Sequence, residues 1–202
     1  MKKFFYGILV LLFGVILVAC KPKTPKVEVS TETLKQALVK FGENNYVMEV
    51  EVLKYDDSQS KIMVEIDGTK SHVKQGEFFE VYYERDGRNV TSYTKEGDKF
   101  VKSEERSPVD SKYQSLKNID ANWFDLVEGK FHVKEDKRAD FVTIFNLDSD
   151  HQLEAAVIEL NEDYLISSMF VTLKELSLRD TYYLSITFSG YGNVSINLPE
   201  VK

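Results

Sequence analysis

Leu34, Ala37, Leu38 and Phe41 fall at i, i+3, i+4 and i+7, the spacing that lines one face of an α-helix. Ser30-Thr31 stands ahead of them as a capping signal and Gly42 follows as a stop. The pattern therefore predicts a helix over ETLKQALVKF, 32–41. Beyond Gly42 the apolar period falls to two. YVMEVEVLK (46–54), KIMVEID (61–67) and EFFEVYYERDG (77–87) each alternate, and Asp67-Gly68 and Asp86-Gly87 are tight-turn dipeptides. A further strand pair is predicted within 88–104, folded back at Glu96-Gly97-Asp98. The span 46–104 reads as a meander of short antiparallel strands.

Ser107-Pro108 interrupts this pattern. Between 110 and 128 the reading is irregular structure with a short helix over Ala121–Val127, ended by Gly129, and KFHVK (130–134) reads as a strand. ADFVTIFN (139–146) fits either state. Phe141, Ile144 and Phe145 share a helical face, while Phe-Val-Thr-Ile-Phe has strand propensity; the reading taken is a short helix. Four strands are predicted to close the chain, at 152–160, 164–174, 181–188 and 193–199. The first of these also suits a helix through Leu153, Ala156, Val157 and Leu160, but its neighbour across Asn161-Glu162-Asp163 is plainly a strand. The sum is nine to eleven antiparallel strands with two or three helices, one α+β domain over 31–202.

The amino terminus has a different character. Lys2 and Lys3 precede an apolar run from Phe4 to Ala19, about 24 Å long as a helix. A bilayer core needs about 30 Å, so residues 1–19 read as a secretion signal rather than a permanent span. Leu17-Val18-Ala19-Cys20 contains the chain's only cysteine and resembles the bacterial lipobox. That resemblance implies diacylglyceryl transfer to the Cys20 thiol, cleavage ahead of it and acylation of the new terminus. Residues 20–30 would then be the lipidated cysteine and a tether. Lys21-Pro22-Lys23-Thr24-Pro25-Lys26 favours extended backbone, and its lysines can touch anionic lipid heads. The expected location is the outer face of a bacterial cytoplasmic membrane, with the membrane itself as a partner through the anchor.

The whole chain has 26 basic and 33 acidic residues, and loss of Lys2 and Lys3 with the signal leaves the mature part at −9. Phosphate binding needs a basic surface, so nucleic acid is not expected as a partner. With 13 Phe, 11 Tyr and four Pro, the composition favours sheet over disorder.

One helix, a long meander, a helical interruption and strands ending in FSGYGNVSINLP (188–199) together resemble the LolA-type lipoprotein carriers and the related mycobacterial lipoglycan carriers. The resemblance implies a curved antiparallel half-barrel whose concave face is covered by helices, with room for acyl chains between. It carries no catalytic or ligand residue across.

Chemical motifs are scarce. There is no G-x-S-x-G, G-x-G-x-x-G or P-loop. His72, His132 and His151 lack zinc spacing. Asp148-Ser149-Asp150 opens like a calcium loop with Glu159 at the twelfth position, but Leu153 stands where the turn requires glycine. Asn89 and Asn193 begin N-x-[S/T] triplets that carry no meaning in a bacterium. No enzyme, cofactor or metal is expected. Two tasks stand side by side. One is a lipid-anchored carrier or sensor of a lipid or other apolar ligand, lined by Leu34, Leu38, Phe41, Trp123 and Phe124, with Phe78, Tyr82, Phe100 and Phe145 as further aromatic candidates. The other is a surface interaction or structural module with a packed core and no small-molecule ligand.

Overall fold

The computed structural model describes residues 28–53, 59–106, 108, 111, 115–144 and 150–201. The signal segment 1–19, Cys20, the tether as far as residue 27, and Phe145 lie outside these. Helix α1 spans Thr31–Phe41. Its start is a reciprocal cap in which the Thr33 N–H donates to Ser30 Oγ at 3.3 Å and the Ser30 N–H donates to Thr33 Oγ1 at 3.1 Å. The helix stops where expected, with Gly42 as its C-cap donating its N–H to the Leu38 carbonyl. Gly42 keeps right-handed φ of −64°, and the left-handed residue that turns the chain is Asn44, at φ 54°.

Eleven strands follow: β1 (Asn45–Leu53), β2 (Gln59–Asp67), β3 (Lys70–Gln75), β4 (Phe79–Asp86), β5 (Asn89–Glu96), β6 (Lys99–Glu104), β7 (Phe124–Val127), β8 (Lys130–Val133), β9 (His151–Leu160), β10 (Ile166–Glu175) and β11 (Asp180–Ser189). They form one open antiparallel sheet in the order β6-β5-β4-β3-β2-β1-β11-β10-β9-β8-β7. The first strand and the last pair in its middle, with Met48 opposite Phe188 and Val50 opposite Ile186. The chain meanders outward from β1 to one edge at β6, crosses to the far edge through 105–123, and meanders back from β7. The crossing is pinned by buried Leu116, Ile119 and Ala121. Helix α2 (Arg138–Ile144), the state taken for 139–146, packs Phe141 and Ile144 inward against β9.

Three sequence expectations need correction. The helix placed over Ala121–Val127 is a short 3₁₀ turn, Ala121–Trp123, followed by strand β7. A two-residue turn joins β7 to β8, with Glu128 and Gly129 both left-handed at φ 50° and 80°, the geometry whose twist suits a hairpin. Strand β3, KSHVKQ, had no place among the predicted strands, because Val73 is its one large aliphatic residue. The fourth closing strand, 193–199, does not form: the segment has no regular secondary structure and joins no ladder. Both edges of β11 are already taken by β1 and β10, so the tail finds side chains instead. Asn45 accepts the Val194 N–H at 2.9 Å and donates to the Val194 carbonyl at 3.0 Å, and Asp67 accepts the Ile196 N–H at 3.1 Å.

One face of the sheet makes the core with α1, α2 and the crossing segment. Met48, Val64, Val73, Ile158 and Met169 are all buried on it. The α1 stripe closes this core at its centre. Phe41 stacks on Tyr46 with ring centroids 4.5 Å apart and meets Phe188 edge-on at 5.3 Å, geometries that add to the burial of each ring.

Candidate functional site

The residues put forward as an apolar lining divide between core and surface. Leu34, Phe41 and Phe124 are at most 3 % exposed and belong to the packed core, and Phe124 meets Phe141 edge-on at 6.0 Å. Leu38 is half-buried against the same core. Trp123 alone of the five lines an open cleft, of about 340 Å³, together with Ser115, Asn118, Asp140, Thr143 and Ile144. The wider set of aromatics does not converge. Phe78 stands in the β3–β4 turn, 95 % exposed, while Tyr82 and Phe100 lie on the sheet face opposite the core.

The cleft sits where the 3₁₀ turns at Ser115–Asn118 and Ala121–Trp123 meet α2. Its hydroxyls are already engaged. Ser115 donates to the Ser111 carbonyl at 3.0 Å and Thr143 to the Ala139 carbonyl at 3.1 Å. Asp140 has Lys137 at 3.5 Å. No hydroxyl there faces a general base, so the cleft offers an indole, a carboxylate and polar rims rather than a nucleophile.

A second cluster emerged that the sequence did not show. His72 is 8 % exposed on the outer face of the sheet. Its Nδ1 lies 2.7 Å from Glu65 and its Nε2 3.3 Å from Glu80. The ring stacks on Tyr82 at 4.1 Å and 9°, and Phe100 closes over Tyr82 edge-on at 5.6 Å. Lys95 reaches the other oxygen of Glu80 at 2.9 Å. The hydrogen bond from Lys95 holds the Glu80 carboxyl below its ordinary range, while burial pushes the Tyr82 phenol up, with the Glu80 charge adding to it. Every member of this row is engaged by another, which makes it a polar clamp across β2, β3, β4 and β5. Once Lys70–Gln75 is taken as a strand after the Gly68-Thr69 turn, register alone sets Glu65 opposite His72 and His72 opposite Tyr82.

The calcium-like stretch is occupied otherwise. Asp148 and Ser149 lie outside the described residues, Asp150 accepts the Ser177 N–H at 3.0 Å, and Glu159 pairs with Lys130 at 2.5 Å from strand β9. Among the described residues no group of three His, Cys, Asp or Glu side chains is arranged to hold a metal ion, and no helix is long and apolar enough to cross a membrane. No protein-family model matches the chain, and no curated protein matches it.

Proposed function

We propose that this is a membrane-anchored extracytoplasmic lipoprotein, held by a lipidated Cys20 on the outer face of a bacterial cytoplasmic membrane, whose domain acts without catalysis as an interaction module. The open eleven-stranded antiparallel sheet is compatible with the curved half-barrel of the LolA-type carriers, and α1 and α2 pack on its core face. The observation that favours a module over a carrier is the fate of the α1 stripe. In a carrier, the space between helix and sheet is left open for acyl chains. Here Phe41 stacked on Tyr46, with Phe188 edge-on to both, fills that position, and Leu34 is fully buried, the close packing of an ordinary interior.

One observation favours the carrier reading. The Trp123 cleft, about 340 Å³, falls within the ~300–1,000 Å³ of small-ligand sites, although most of its lining residues are polar. Native mass spectrometry of the mature protein separates the two readings. A mass explained by chain and covalent acyl groups alone supports the module. An additional extractable lipid, with a Trp123 emission shift on fatty-acid titration, would replace it with the carrier.

A further inference from the structure

Among the described residues, five of the eleven exposed large apolar side chains gather at one end of the sheet. The register of the sheet places the β3–β4 turn, the end of β1 and the β10–β11 turn at one end, since Leu53 pairs with Tyr183 and Gln75 reaches Ser60 at 2.8 Å. That end carries Phe78 at 95 % exposure, Leu178 at 68 %, Tyr183 at 52 %, Leu176 at 46 % and Leu53 at 38 %. Of the turns at the opposite end, Gly68-Thr69, Gly87-Arg88 and Glu128-Gly129 hold no large apolar residue and 161–165 holds partly buried Tyr164 and Leu165, while Leu126 and Val127 beside Glu128 are 40 % and 49 % exposed. Scattered exposed apolar side chains are unremarkable, but a grouping of this kind marks a contact surface.

We infer that this end of the sheet docks on the lipid surface to which the chain is anchored, with Phe78 and Leu176/Leu178 as two apolar prongs. At ~4.8 Å per strand the two turns are centred about 19 Å apart along the sheet, and Leu53 and Tyr183 lie between them. The occupant follows from the chain that precedes the described domain. Cys20 is eight residues ahead of Glu28, and at ~3.3 Å per residue that tether reaches only about 26 Å. An anchored domain is therefore always within its own dimensions of the bilayer. The end is also mixed in charge, with Lys74, Lys174 and Arg179 beside Glu77, Glu175 and Asp180. Such a surface suits shallow insertion of apolar tips among headgroups more than adhesion to anionic lipid by charge. This inference rests on the lipoprotein reading of Cys20.

The test uses the full-length lipoprotein reconstituted in phosphatidylcholine–phosphatidylglycerol vesicles containing a headgroup-proximal doxyl lipid. An acylated Cys20 leaves an introduced cysteine as the sole reactive thiol. An environment-sensitive fluorophore is placed at Glu77→Cys, beside Phe78, at Leu178→Cys, and at Arg88→Cys on the opposite end. Emission at 77 and 178 should be blue-shifted and quenched at least about twice as strongly as at 88, as expected for tips within the headgroup layer. Adding Phe78→Ser to the Glu77→Cys protein should remove most of its quenching. Equal quenching at all three sites, or none at 77 and 178, would overturn the docking. A blue shift without doxyl quenching would overturn it in favour of a protein contact. The intact mass of the same samples reports the anchor separately. Acyl mass with unquenched tips removes the docking alone, whereas a chain without acyl mass removes the anchor and the docking together.

Discussion

Truncating Leu34 distinguishes a helix that completes a core from one that roofs a ligand cavity. Leu34 is 0 % exposed on the inward face of α1. The carbons deleted by Leu34→Ala account for ~2.4 kcal/mol at ~0.8 kcal/mol per CH₂. A residual void of roughly 60 Å³ adds ~1.4 kcal/mol at ~24 cal/mol per Å³. The expected loss is thus about 4 kcal/mol, at the middle of the measured range for buried Leu→Ala changes. Half-buried Leu38 should lose about half as much by the same reasoning, and Val39→Ala, at 73 % exposure, should stay within about 0.5 kcal/mol. Urea melts with an unchanged m-value report these differences. In a thermal scan the Leu34 variant should fall by about 8–16 °C, at ~2–4 °C per kcal/mol for a domain of this size. A loss under ~1 kcal/mol for Leu34→Ala, with increased uptake of fatty acid, would refute the packed-core argument and restore the carrier, since trimming the wall of an open cavity removes few native contacts.

Glu80 is held below the ordinary carboxylate value of 4.5, first by its hydrogen bond from Lys95. Its folded pKa lies under its unfolded one, so its stabilisation is complete above about pH 4.5 and disappears as pH falls through the folded value; Glu80→Gln should be less stable than wild type at pH 7, and the gap should close in acid melts. The Tyr46 hydroxyl is buried with no partner among the described residues, and burial first, then Tyr191, pushes the phenol upward; Tyr46→Phe should match or exceed wild-type stability by up to about 1 kcal/mol, and a clear loss in urea would mean the hydroxyl has a partner. Asn45→Ala should free the tail at Val194, seen as faster amide exchange there, and cost about 1–3 kcal/mol for the groups left unpaired; unchanged exchange would contradict the clasp. Cys20→Ser should abolish incorporation of labelled fatty acid and leave the precursor uncut, and continued labelling would disprove the anchor.

The amino-acid sequence by itself determined the elements whose burial is periodic along the chain. The α1 stripe is legible because Leu34, Ala37 and Phe41 recur every turn on one face, and all three are buried. The alternation in β1, β2 and β4 is legible for the same reason at period two. For 139–146 a helix and a strand were both open on local grounds, and the helix over Arg138–Ile144 owes its place to Phe141 and Ile144 packing against β9. The lining residues were legible as apolar but not as core or cavity, since burial of one side chain depends on what the rest of the chain places against it.

Only the tertiary structure decided the rest. KSHVKQ has little apolar pattern of its own and becomes strand β3 because β2 and β4 supply its ladder. FDLV gives up the helical alternative because a left-handed two-residue turn folds it onto β8. The pairing of β1 with β11 links segments separated by most of the domain, and no local pattern encodes a partner at that range. That same pairing fills the middle of the sheet and leaves 193–199 without an edge, so its strand-like composition yields a tail clasped by Asn45 and Asp67. The row of Glu65, His72, Tyr82, Glu80 and Lys95 likewise exists only in register. Each residue is ordinary in its own segment, and hydrogen bonding across four strands is what brings two carboxylates onto one imidazole.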